Sequence, residues 1–126
     1  MHHSRLSTLV IDCQSVDLKQ ATDFWSQALG KPIVTYDSEG DGKYAELATL
    51  ADEPIILLQR VEHESRVHLD IETDDLPAEV ARLEKLGATV HKHLERWTVM
   101  QAPTGQRFCV VRVQRAGFSQ NANRWS

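Results

Sequence analysis

The sequence predicts an α+β protein built from two tandem βαβββ modules. Three observations lead there: an internal repeat, a helical apolar stripe inside each copy, and β-biased runs behind each helix. The repeat appears when the chain is laid over itself with an offset of 58 positions. Ile11-Asp12-Cys13-Gln14-Ser15-Val16-Asp17-Leu18 then covers Leu69-Asp70-Ile71-Glu72-Thr73-Asp74-Asp75-Leu76, and the pairs Asp12/Asp70, Asp17/Asp75 and Leu18/Leu76 are identical. The match runs on to Leu29-Gly30 and Leu86-Gly87, where the offset falls to 57, so one residue is missing from the second helix.

The elements follow in order. Leu9–Cys13 is β-rich, and Val67–Ile71 repeats it, with His68, Asp70 and Glu72 on one face and Val67, Leu69 and Ile71 on the other. After Asp17, the residues Ala21, Phe24, Trp25, Ala28 and Leu29 keep helical spacing as a core-facing stripe, Asp17 and Gln20 are spaced as a capping box, and Gly30 supplies the C-terminal stop. In the second copy Asp75 precedes Leu76-Pro77, and Val80, Leu83 and Leu86 form the stripe up to Gly87. Strands are predicted over Pro32–Tyr36, Tyr44–Thr49 and Ile55–Val61, and again over Thr89–His93, Trp97–Gln101 and Phe108–Val113. Turn chemistry occupies Asp37–Gly42 and Pro103-Thr104-Gly105. The domain reading is one domain over 1–126, with module one at about 5–62, module two at about 64–114 and a tail at 115–126 that is either disordered or docks Phe118 and Trp125 on the body or on a partner.

Composition removes several function classes. No apolar run approaches the roughly 18 residues of a membrane span, and Met1–Leu6 lacks a basic stretch followed by an apolar one, so a cytoplasmic setting is expected. With 14 Lys+Arg against 18 Asp+Glu, the net charge of −4 leaves no basic stripe for nucleic acid. Cys13 and Cys109 sit in apolar segments and read as reduced thiols rather than a disulfide. Hydrolase elbows, P-loops, dinucleotide fingerprints and H-E-x-x-H are absent from the sequence.

The run Asp17-Leu18 through Phe24-Trp25 to Leu29-Gly30, the segment Arg66-Val67-His68-Leu69-Asp70-Ile71 with Asp74-Asp75-Leu76, and Arg82-Leu83-Glu84-Lys85-Leu86-Gly87-Ala88 resemble the vicinal oxygen chelate superfamily. So does Trp97 through Pro103-Thr104-Gly105 to Phe108-Cys109-Val110-Val111. Within it the chain is similar to glyoxalase-like proteins related to bleomycin-resistance proteins, although Ala102 and Gln106 replace the acid and the Asn of the family's turn before the last strand. The resemblance implies curved mixed sheets that form an open cup for a small molecule, and commonly a homodimer. It also implies metal ligands on the opening and final strands of metal-dependent members. His68 falls on one of these positions, Val10 on another where no side chain can ligate, Cys109 on the last-strand position, and its counterpart on Leu57, or on Gln59 if the register slips by two. His68, Cys109 and Gln59 form the set for a divalent metal, and the expectation is that none is held.

Strand parity selects the remaining candidates. Asp12 and Asp70 are repeated carboxylates that can bind a cation, act as acid and base, or accept structural hydrogen bonds from Arg66 or a backbone N–H. His68 is either a hydrogen-bonded imidazole or a ligand contact. Tyr44 and Trp97 are open between core packing and an aromatic wall, Gln59 is a polar contact, and Glu46 shares the parity of Tyr44 and is a candidate base. His91 and His93 make an H-x-H pair that reads as an exposed strand face. The catalytic candidates are thus Glu46, Asp12 and Asp70, and the ligand-binding candidates are Asp12, Tyr44, Gln59, His68, Asp70 and Trp97. The function expected is metal-free binding of an apolar or cationic compound in the cup. The alternatives are a metal-dependent lyase, isomerase or dioxygenase and a dimerising interaction domain.

Overall fold

The computed structural model describes residues 1–36 and 42–126; the turn read over Asp37–Asp41 lies outside the described residues, while Gly42 has a positive φ of 69°. The chain forms two compact units, Thr8–Val67 and a second made of Met1–Ser7 with His68–Ser126.

In the unit Thr8–Val67, the C-terminal half of β1 (His2–Gln14) runs parallel to β4 (Ile55–Val61), and β3 (Tyr44–Leu47) joins β4 to β2 (Ile33–Tyr36) through antiparallel pairs. Helix α1 (Lys19–Leu29) packs Leu18, Ala21 and Trp25 on Leu9, Ile11, Ala45, Leu47, Ile56 and Leu58. The helix stops at Gly30, whose φ of 67° lets its own N–H reach Gln27 O at 3.3 Å and Lys31 N–H reach Ser26 O at 2.9 Å. Its start departs from the expected capping box. Asp17 Oδ1 accepts from Lys19 N–H at 2.9 Å, and Gln20 makes no reciprocal bond among the described residues, because the helix begins one residue later than the spacing suggested. Phe24 departs too. It is 60% exposed, on the margin of the stripe, in a T-shaped contact with Trp25.

The second unit repeats the order. β5 (Arg66–Thr73) runs parallel to β8 (Arg107–Arg112), and β7 (Trp97–Gln101) joins β8 to β6 (Thr89–His93). Helix α2 (Leu76–Lys85) starts where Asp75 accepts Ala78 N–H at 3.0 Å, with Pro77 in its first turn, and buries Val80 and Leu83 on Met100 and Val110. Leu86 lies past the helix and is 66% exposed, which shortens the predicted stripe.

Two parts exceed the predicted elements. β1 extends back to His2, well before Leu9, and the tail folds as α3 (Phe118–Asn121) and β9 (Asn123–Trp125), the latter antiparallel to His2–Ser4. Two fully buried acids explain both. Glu72 takes Arg5 Nε–H at 2.7 Å together with the N–H groups of Gln114 and Arg115, and Glu79 takes His2 Nε2 and both nitrogens of the Arg82 fork at 2.8 Å. Arg82 in turn covers the Trp125 ring at 3.9 Å, and Trp125 Nε1 donates to Ser4 Oγ at 2.8 Å. Phe118 is buried beneath Arg5, whose Cζ lies 5.5 Å from the ring centre, so it and Trp125 are docked within this unit.

Candidate functional site

On a strand, alternate residues share a face, so the helix-packed Ile71, Val110 and Met100 leave His68, Asp70, Cys109, Val99 and Trp97 on the other side of their sheet. Asp70 and Cys109 are register partners across the parallel β5–β8 pair, and His68 lies two residues before Asp70. Their ligating atoms all fall within 4.8 Å of one another, the only group of three such side chains among the described residues. His68 and Asp70 are largely covered, at 13% and 16% side-chain exposure. Asp70 Oδ1 is buried, stands 3.4 Å from His68 Nε2 without hydrogen-bond geometry, and accepts no hydrogen bond among the described residues. An acceptor left so costs about 1–3 kcal/mol, more when charged, which a bound donor or cation recovers. Glu72, on the same strand face, is by contrast saturated by Arg5 and the two tail N–H groups.

The other unit carries the remaining candidates. Asp12, Gln59 and Tyr44 are consecutive register partners across β1, β4 and β3, with Gln59 Nε2 donating to Tyr44 Oη at 3.4 Å. Asp12 is 2% exposed, and Arg66 Nε lies 3.8 Å from its Oδ2. Glu46 sits one row along, half-buried opposite Leu57. Asp12 and Arg66 also border a cavity of about 560 Å³ with Phe24 and Trp25. The Cys13 thiol there is pushed up by burial and by the Asp12 charge, so it stays protonated and inert. Because Asp12 pairs with Gln59 as Asp70 pairs with Cys109, the counterpart of Cys109 is Gln59 and not Leu57.

The structure brings two members of the expected metal set, His68 and Cys109, together in one unit and adds Asp70, which the sequence offered as a ligand-binding and catalytic acid but not as a metal ligand. The N/O/S donor set suits a zinc-like ion better than Mg²⁺ or Ca²⁺, and Asp70's unsatisfied oxygen gives such an ion a ready ligand. Trp97 is 38% exposed on the same face, opposite Val111. It does not occupy Tyr44's position, which register gives to Val99. His91 and His93 join no ligating cluster among the described residues; an irregularity between Val90 and Lys92 interrupts their strand, and His93 Nδ1 meets Thr98 Oγ1 at 3.3 Å. A cleft of about 900 Å³ lies on the α2 side, between Leu76, Val80, Val90 and His93, and includes none of the three clustered side chains.

The sequence model of the glyoxalase-like domain matches residues 8–111. The chain belongs to the glyoxalase-like family. Its fold is that of the glyoxalase/bleomycin resistance/dioxygenase superfamily. A member of that superfamily from Vibrio splendidus superposes with a TM-score of 0.56 at 14% identity, covering 87% of this chain and 99% of that one. Methylmalonyl-CoA epimerase from Mycobacterium tuberculosis gives 0.60 at 19% identity, covering 86% and 87%, and a hypothetical protein from Bacillus halodurans gives 0.65 at 13%, covering 90% and 97%. No curated protein sequence matches the chain. Among the described residues no helix is long and apolar enough to cross a membrane.

Proposed function

We propose that this glyoxalase-like protein binds a small cationic compound on the face of β5 and β8 that carries His68, Asp70 and Cys109, and that it does so without a resident metal. The observation that carries the reading is the buried Asp70 Oδ1 with no hydrogen bond to accept. An ammonium or amidinium group supplies both the donor and the countercharge, while Val99 and the half-exposed Trp97 offer apolar contact on the same face. Titration with n-butylammonium, followed by calorimetry, should show saturable binding that Asp70→Asn weakens at least about tenfold, the loss of one charge-assisted contact. Binding unchanged in that variant would overturn the assignment. Action as a homodimer belongs to this reading and rests on the sequence resemblance; light scattering at the 14.3 kDa monomer mass would count against the dimer.

The mutual approach of the three donors favours a second reading, a metal-dependent lyase, isomerase or dioxygenase. The side chains of His68, Asp70 and Cys109 would hold the ion, which when bound supplies Lewis-acid polarisation of a ligand oxygen. Elemental analysis of untagged protein decides between them: about one divalent metal per chain, lost in His68→Ala, establishes the second reading, and metal-free protein that recovers none on add-back excludes it.

A further inference from the structure

The polar face does not end at the cluster. Arg107 stands two residues before Cys109 on β8, as His68 stands two before Asp70 on the parallel strand β5, so both lie at the same end of the same face. Gln101, its register partner on β7, accepts Arg107 Nε–H at 3.0 Å. That bond fixes the plane of the guanidinium and leaves its terminal nitrogens without any other hydrogen bond or ion pair among the described residues. Arg107 is half-buried. A covered arginine held at Nε with its terminal N–H groups open is arranged to take a planar oxyanion by two parallel hydrogen bonds.

We infer that Arg107 is the second anchor of the ligand and that the compound is zwitterionic, with its cationic group at Asp70 and a carboxylate at Arg107. The inference rests on the reading of Asp70 given above. Asp70 and Arg107 stand one row along and one strand across from each other, about 6.6 Å and about 4.8 Å, or about 8 Å on the diagonal. An ω-amino acid with a short carbon chain bridges that spacing, whereas a simple amine uses the Asp70 end alone.

The test compares 4-aminobutyrate, its amide 4-aminobutanamide and n-butylammonium by calorimetry on the full chain and on Arg107→Gln and Asp70→Asn. The acid should bind the unsubstituted protein about tenfold or more tighter than the amide, the gain of a charge-assisted fork. Arg107→Gln should erase that preference by weakening the acid alone, and Asp70→Asn should weaken all three probes. Equal binding of acid and amide, or an Arg107→Gln variant that loses both by the same factor, overturns the inference. If the amide and the amine still bind and Asp70→Asn abolishes this, the proposed function stands while the role of Arg107 falls; if none of the three binds, both fall.

Discussion

At the scale of single residues, Asp70 separates function from architecture. It and Asp12 are the repeated acids that the sequence displays, yet their neighbours differ: Arg66 approaches the buried Asp12, whereas Asp70 faces an imidazole and a thiol. That difference was not legible, because it depends on which strand lies beside each acid. His68 and Cys109 were legible one by one through the resemblance and Asp70 by sharing a strand face with His68, and only the parallel β5–β8 register showed that Cys109 lies beside Asp70. A functional acid held against its solvation preference predicts that Asp70→Asn leaves the thermal midpoint unchanged or raises it, since the variant removes a charge whose buried Oδ1 accepts no hydrogen bond among the described residues. Thermal melts followed by circular dichroism check this, and a loss of more than about 1 kcal/mol would make Asp70 a structural residue instead.

At the scale of elements, helix stops were read well and helix faces less well. Gly30 and Gly87 end their helices as spacing suggested, whereas Phe24 and Leu86 are exposed. The stripe marks a face, and how much of it the sheet covers is decided by packing. The two glycines make a paired test. Both have positive φ, 67° and 108°, but a Cβ on Gly30 would meet nothing within 4 Å while one on Gly87 would come within 3.0 Å of Pro103 Cγ. Gly30→Ala should cost about 1 kcal/mol, the conformational term alone. Gly87→Ala should cost about 2 kcal/mol or more, because steric contact adds to that term. Urea denaturation of the two variants measures the difference; equal losses would mean that Pro103 yields freely.

At the scale of the whole molecule, the repeated βαβββ order was visible because periodicity and turn residues recur along the chain, and each unit shows it with the first strand parallel to the last. The tail was not visible, since its anchors Glu72 and Glu79 reach it through contacts distant in sequence. Glu79 gives the global stability a pH signature. Burial alone would raise its carboxyl above the ordinary 4.5, and hydrogen bonds from Arg82, His2 and Ser4 outweigh that and hold it below. A lowered folded value stabilises the protein above about pH 4.5 and is lost as pH falls through the folded value. Melting midpoints should therefore fall steeply below pH 4.5 and less steeply in Glu79→Gln, which keeps the shape without the charge; identical profiles would contradict the role given to Glu79. The central claim, that the β5–β8 face binds an organic cation, is tested most directly by following backbone amide resonances during titration with n-butylammonium. Saturable shifts centred on His68–Asp70, Cys109 and Trp97–Val99 are predicted. Shifts that cluster instead on the α2 cleft around Val80 and His93, or no saturable shifts at all, would contradict it.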